Sequence, residues 1–116
     1  MRWLKRCIWN IWNINARKRR KKETMDMKKI EEILSHYSQE QQTIKAIEEL
    51  AELQKELAKM LNNQGDIDAL INEIADVYIM TAQIMILHGI DLEELNREVA
   101  YKLNRQLGRI KEAEEG

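Results

Sequence analysis

Between Leu70 and Leu87 the chain is apolar almost without interruption, and within that stretch only Glu73 and Asp76 carry charge. Ile71, Ile74, Val77, Tyr78, Ile79, Met80, Ile84, Met85 and Ile86 leave no polar side for water, so a helix of this composition belongs in an interior. Proline is absent from the whole chain and glycine is scarce, while Ala, Leu, Ile, Glu, Lys and Gln predominate, residues that keep their rotamer freedom in a helix or fit its packed face. The expected fold class is therefore all-α. Glu73 and Asp76, three residues apart, share one face of this apolar helix. Two close carboxylates taken out of water repel each other, and they must be protonated, matched to cations or bound to metal. No Lys or Arg occurs between Lys59 and Arg97, which leaves Lys102, Arg105 or a metal ion as compensation.

The flanking segments read as three further helices. Met27, Ile30, Ile33, Leu34 and Tyr37 form one stripe of a helix over about 26–36. Ser38 followed by Gln41 is a capping box. It opens a helix whose Ile44, Ile47, Leu50, Ala51, Leu57, Ala58 and Leu61 are expected to face inward, and which ends near Asn62, Asn63 and Gly65. Asp66 or Asp68 caps the apolar helix, and Gly89 stops it. Asp91 with Glu94 is a second capping signal, for a helix with Leu92, Leu95, Val99, Leu103, Leu107 and Ile110 facing inward. Four helices joined by short connections predict an antiparallel bundle over residues 25–116. At 116 residues the core is modest, and self-association would enlarge it.

Residues 1–24 differ in kind. They hold nine Lys/Arg and one acid, against ten and nineteen in the remainder, so a segment of about +8 precedes a body of about −9. Trp3, Leu4, Cys7, Ile8, Ile11 and Trp12 recur at helical spacing before the basic run Arg17–Lys22, which predicts a short basic amphipathic helix or a disordered arm. Charges interrupt it too often for a membrane span, and no small-residue cleavage site follows it. It reads as an anchor to anionic membrane, as a basic arm for nucleic acid, or as an accessory extension ahead of a start at Met25 or Met27. Cys7 is the only cysteine. With no Cys/His cluster for zinc and no intramolecular disulfide, a cytoplasmic location is expected.

On the helix after Ser38, Glu49, Glu52 and Glu56 fall together on one face, which alone reads as solvated surface. Paired with the Glu73/Asp76 face it reads otherwise. An ExxE on one helix and an ExxD on another can converge on a hard divalent cation, which takes oxygen ligands. Mg2+ or Mn2+ follows, and either would neutralise phosphate oxygens and activate water. His36 and His88 sit in neither an ExxH nor an HExxH arrangement, which disfavours di-iron and zincin chemistry. His88 is a helix-end residue near the C-terminal dipole. Lys102, Arg105 and Arg109 share a face, either a solvated one with Glu98 paired to Lys102 or a phosphate clamp beside the acids.

EELAEL (Glu48 to Leu53), EIADVYIM (Glu73 to Met80), GID (Gly89 to Asp91) and YKLNRQ (Tyr101 to Gln106) resemble, in this order, the blocks of MazG-like nucleoside triphosphate pyrophosphohydrolases, especially the short single-domain forms of phages and bacteria. The resemblance covers about 30–110. It implies Mg2+-dependent hydrolysis of an NTP or dNTP between the α and β phosphates, yielding a nucleoside monophosphate and pyrophosphate. It further implies that Glu49, Glu52, Glu73 and Asp76 are metal ligands and catalytic, that Lys102 and Arg105 bind substrate phosphate, and that the chain forms a homodimer or homotetramer. The chain departs from the pattern at Ala100, where many members carry Asn. Glu48 or Glu56 is available as an outer base. The alternative reading is a non-catalytic helical oligomerisation module whose basic arm binds nucleic acid or membrane.

Overall fold

The structure, a computed structural model, describes residues 25–115; the amphipathic helix or arm expected over residues 1–24 lies outside them. The described chain is all helical: α1 (Met27–His36), α2 (Gln39–Leu61), α3 (Ile67–Leu87) and α4 (Leu92–Glu115). Each helix begins where a side chain satisfies its first free N–H groups. Asp26 accepts from the amides of Lys28 and Lys29 at 3.1 and 3.4 Å. Ser38 and Gln41 form the reciprocal capping box, with Gln41 N donating to Ser38 Oγ at 3.1 Å and Ser38 N to Gln41 Oε1 at 2.9 Å. Asp66, rather than Asp68, caps α3 by accepting from Asp68 N, and Asp91 accepts from Glu93 N ahead of α4.

The helix ends follow the same logic. At the end of α3, Ile90 N donates to Met85 O at 2.8 Å and Gly89 N to Ile86 O at 3.2 Å, a Schellman closure. It requires a left-handed residue, and Gly89 has φ +63°. The end of α2 is built alike, with Gln64 N donating to Lys59 O and Asn63 N to Met60 O. There the left-handed position is held by Asn63, at φ +56°, and not by Gly65. Asparagine tolerates this region because its short polar side chain bonds locally.

The short link over residues 62–66 turns the chain back, and α2 packs antiparallel along α3, with α1 against α3. The expected orientation of α2 is reversed. Ile44, Ile47, Leu50, Leu57 and Leu61 point outward, with Ile47 62% and Leu61 87% exposed. The residues sheltered against α3 are instead Gln42, Ala46, Glu49, Leu53 and Glu56, whose alternating four- and three-residue spacing is that of a helix-pair seam. From α3 the sheltered positions include Glu73, Asp76, Met80, Gln83 and Leu87. The physical reason lies in α3: Glu73, Asp76 and Gln83 share one face of a helix that is otherwise mostly apolar, so they need a polar neighbour, and α2 turns its polar face to them. Small Ala46 lets the backbones approach.

The described residues thus bury little. Among them Ile30 and Ala46 are the buried apolar residues, beside the polar Gln42, Glu56 and Gln83, and Gln83 is only 1% exposed. Both amide atoms of Gln83 and Oε1 of Gln42 are enclosed without a hydrogen-bond partner; such a group costs about 1–3 kcal/mol. Helix α4 is also not turned inward along its length. Leu95 is half-buried, but Leu92, Val99, Leu103, Leu107 and Ile110 are exposed, Leu103 at 61% and Leu107 at 64%. By length and composition α3 could cross a membrane; Glu73, Asp76 and Gln83 lie on its sheltered face, and Asp68 is exposed in its first turn.

Candidate metal centre

Glu73 and Asp76 lie within the first three turns of α3, and the antiparallel pairing sets them opposite the middle of α2, where Glu49 stands on the sheltered seam. One carboxylate oxygen from each of Glu49, Glu73 and Asp76 lies within 4.8 Å of the others, and all three residues are half-buried. The sequence expectation that acids from both helices converge is met by these three.

The electrostatics are those of a site short of positive charge. Burial pushes the Glu73 carboxyl above its usual range, partly opposed by the side-chain amide of Asn72, and Asp76, Glu49 and Glu52 push it further up. Burial likewise raises Asp76, and the neighbouring Glu49 carboxylate raises it further, with Lys45 opposing. Glu73 Oε2 is enclosed and has no partner, while Asn72 Nδ2 reaches Oε1 at a long 3.4 Å. An enclosed acceptor facing two more acids is a strong candidate for a cation.

One cation is already present, and the sequence reading overlooked it. Lys45 Nζ lies 3.0 Å from Glu49 Oε1 and 3.7 Å from Glu48 Oε2. The contact with Glu49 holds the lysine above its ordinary pKa. Lys45 sits one turn before Glu49 on its own helix, outside the α3 and α4 segments from which compensation is expected. The signal was the i,i+4 Lys–Glu pair, which is ordinary on surfaces and acquires significance here only because Glu49 is turned inward.

The other proposed residues sit elsewhere in the single chain. Glu52 is outside the three-acid cluster, with a largely exposed side chain and Lys55 at 4.0 Å, although its charge still acts on Glu73. Glu56 is buried in the seam and paired with Lys59 at 3.1 Å, which makes it a structural partner and not a free base. Glu48 is exposed beside Lys45. Lys102 and Arg105 are exposed on α4, and the Arg105 guanidinium stacks over the Tyr101 ring at 5.6 Å, a cation–π contact within its own helix. Ala100 and Arg109 are exposed on the same helix.

The donor set suits a hard divalent ion. Three carboxylates supply oxygen only, and Mg2+ holds its ligands at about 2.0–2.1 Å, which puts two ligands on one ion at most about 4 Å apart. The oxygens of Glu49, Glu73 and Asp76 lie within 4.8 Å of one another, so one ion held by all three requires them to close inside that limit. With no histidine or cysteine in the cluster, softer metals have no special claim on it. The chain matches no protein-family model, no curated protein and no solved structure, so the site is interpreted from its own geometry.

Proposed function

We propose that the chain is a Mg2+-dependent nucleoside triphosphate pyrophosphohydrolase, of the MazG-like kind its sequence blocks resemble. The observation that carries this reading is the convergence of Glu49, Glu73 and Asp76 within 4.8 Å, with the enclosed Glu73 Oε2 lacking any partner. These residues would hold the ion, with Glu52 joining from the edge of the cluster; Mn2+ suits the same oxygens. Once bound, Mg2+ would neutralise phosphate charge and supply activated water.

The chain's own groups have two further tasks. The acids, rigidly placed on two packed helices, fix where a triphosphate can enter, because phosphate is repelled from them until their charge is balanced. Lys45 balances part of that charge before substrate arrives. Lys102 and Arg105 would stabilise charge on the phosphates, arginine in the bidentate manner suited to that group. Their place on an outward-facing α4 supports a homodimer or homotetramer in which one protomer's α4 reaches its partner's acids. The exposed apolar stripes of α2 and α4 supply the surface for such an assembly. A cytoplasmic location, where nucleotides and Mg2+ meet, belongs to the same proposal.

The test is incubation of purified protein with Mg2+ and a panel of NTPs and dNTPs, with identification of products. Pyrophosphate and a nucleoside monophosphate are expected. Inorganic phosphate alone, or no turnover of any nucleotide at concentrations where the protein is oligomeric, would refute the assignment. The exposed apolar stripes also favour a second reading, a non-catalytic oligomerisation module, in which millimolar Mg2+ would leave the melting temperature unchanged.

A further inference from the structure

Beside the α2–α3 seam runs an apolar groove of about 520 Å³, its lining including Leu53 of that seam. Ile74, Tyr78 and Met85 of α3, Leu92 and Leu95 of α4, and Met25 also line it. Open apolar concavities of this size are binding sites, because water within them gains few hydrogen bonds.

Three observations identify the occupant. The first is connectivity: Met25, the first described residue, lines the groove, and residues 1–24 are joined to the chain there. The second is length. Residues 13–24 alone can span up to roughly 40 Å when extended, at about 3.3–3.6 Å per residue, which brings residues 1–12 within reach of the whole groove. The third is complementarity. Trp3, Leu4, Cys7, Ile8, Ile11 and Trp12 supply an apolar face at helical spacing, and the nine basic residues of this segment precede a body holding nineteen acids. A tethered segment also meets the groove at an effective concentration of about millimolar, which a free partner must exceed to displace it.

We infer that residues 1–12 dock through this apolar face into the groove of their own chain, covering it, while the basic run Arg17–Lys22 lies against the acidic body. The docked segment completes the core along α3. This role is independent of the catalytic reading and stands whether or not the protein hydrolyses nucleotides.

The chain carries its own probe, since all its tryptophans, Trp3, Trp9 and Trp12, lie in this segment. Trp9 falls outside the apolar face and is replaced by Phe, leaving two reporters. In the full-length Trp9→Phe protein, emission is expected to be blue-shifted and shielded from iodide, and unchanged by about a hundredfold dilution, as an intramolecular contact requires. Adding Thr81→Arg places a charge in the groove and should raise iodide quenching several-fold while helicity is retained. A cross-link supplies a second measurement that does not depend on that variant folding. With Thr81→Cys introduced, a short bismaleimide should join it to Cys7 within one chain and leave the mass of a single protomer. Mixing wild-type chain with Cys7→Ser/Thr81→Cys chain, which can link only across copies, should give no product. Cross-links found only between copies would overturn the inference in favour of a second protomer. Tryptophans fully open to iodide would overturn it outright, and shielding seen only with anionic phospholipid vesicles would identify the segment as a membrane anchor instead.

Discussion

Lys45 and Asp76 flank one carboxylate: Lys45 Nζ lies 3.0 Å from Glu49 Oε1, and Asp76, on the neighbouring helix, brings a carboxylate oxygen within 4.8 Å of one on Glu49. A divalent ion entering between Glu49, Glu73 and Asp76 must contend with the lysine's charge. Replacing Lys45 with Met removes that competitor. Because an exposed ion pair of this kind is weak, Mg2+ affinity should rise by a few-fold at most, with a small fall in metal-free stability. Calorimetric titration with Mg2+ checks this; weaker binding in the variant would mean that Lys45 orients Glu49 for the ion and does not oppose it.

The sign of the pH dependence follows from the raised carboxyls of Glu73 and Asp76. A carboxyl that holds its proton more tightly in the folded chain than in the unfolded one favours folding most at low pH. Its contribution is full below the ordinary values of 4.5 for Glu73 and 3.8 for Asp76 and is lost as pH rises through the raised values. This component of metal-free stability should therefore decline across the mildly acidic range, and Mg2+ should restore it at neutral pH. Melting curves with chelator and with Mg2+ at a series of pH values measure both effects.

Glu73→Gln should flatten both dependences, because the amide has no charge to relieve. The variant should melt at or above the metal-free wild type, lose most of the Mg2+ response and lose more than about 100-fold in pyrophosphate release, a typical scale for removing an electrostatic group from a site. Retained turnover would place the ion elsewhere.

Leu103 and Leu107 are exposed in the single chain, at 61% and 64%, beside Lys102 and Arg105. The double substitution Leu103→Glu/Leu107→Glu should shift the protein from oligomer to monomer in light scattering and suppress pyrophosphate release. The Mg2+-induced rise in melting temperature should survive, because the acids lie on α2 and α3. Full activity from a monomer would exclude a phosphate clamp supplied by the partner.

Gly89, at φ +63°, closes α3 through the bonds from Gly89 N to Ile86 O and from Ile90 N to Met85 O. Nothing lies within 4 Å of where a Cβ would stand, so Gly89→Ala tests backbone strain alone. A loss of about 1–2 kcal/mol is expected from urea unfolding. A smaller effect would mean that the turn relaxes without α4 shifting.

The sequence by itself determined what depends on neighbours along the chain. Helix propensity and the lack of proline set the all-helical class. Ser38 with Gln41, Asp66 and Gly89 set helix limits, because a cap and the groups it satisfies lie within a few residues of one another. The three-residue spacing of Glu73 and Asp76 placed both acids on one face of α3, and their apolar surroundings marked them as needing compensation. Only the tertiary structure decided which face of α2 would answer them. Periodicity identified its apolar stripe but not the direction that stripe would point. The polar seam of α3 drew in Glu49 and Glu56, sent Ile47 and Leu61 outward and left Glu52 at the edge. Lys45 became part of the site by the same rotation of α2. Residues that share a helical face are fixed by local geometry, whereas the face that is buried is fixed by the burial and charge needs of whatever packs against it.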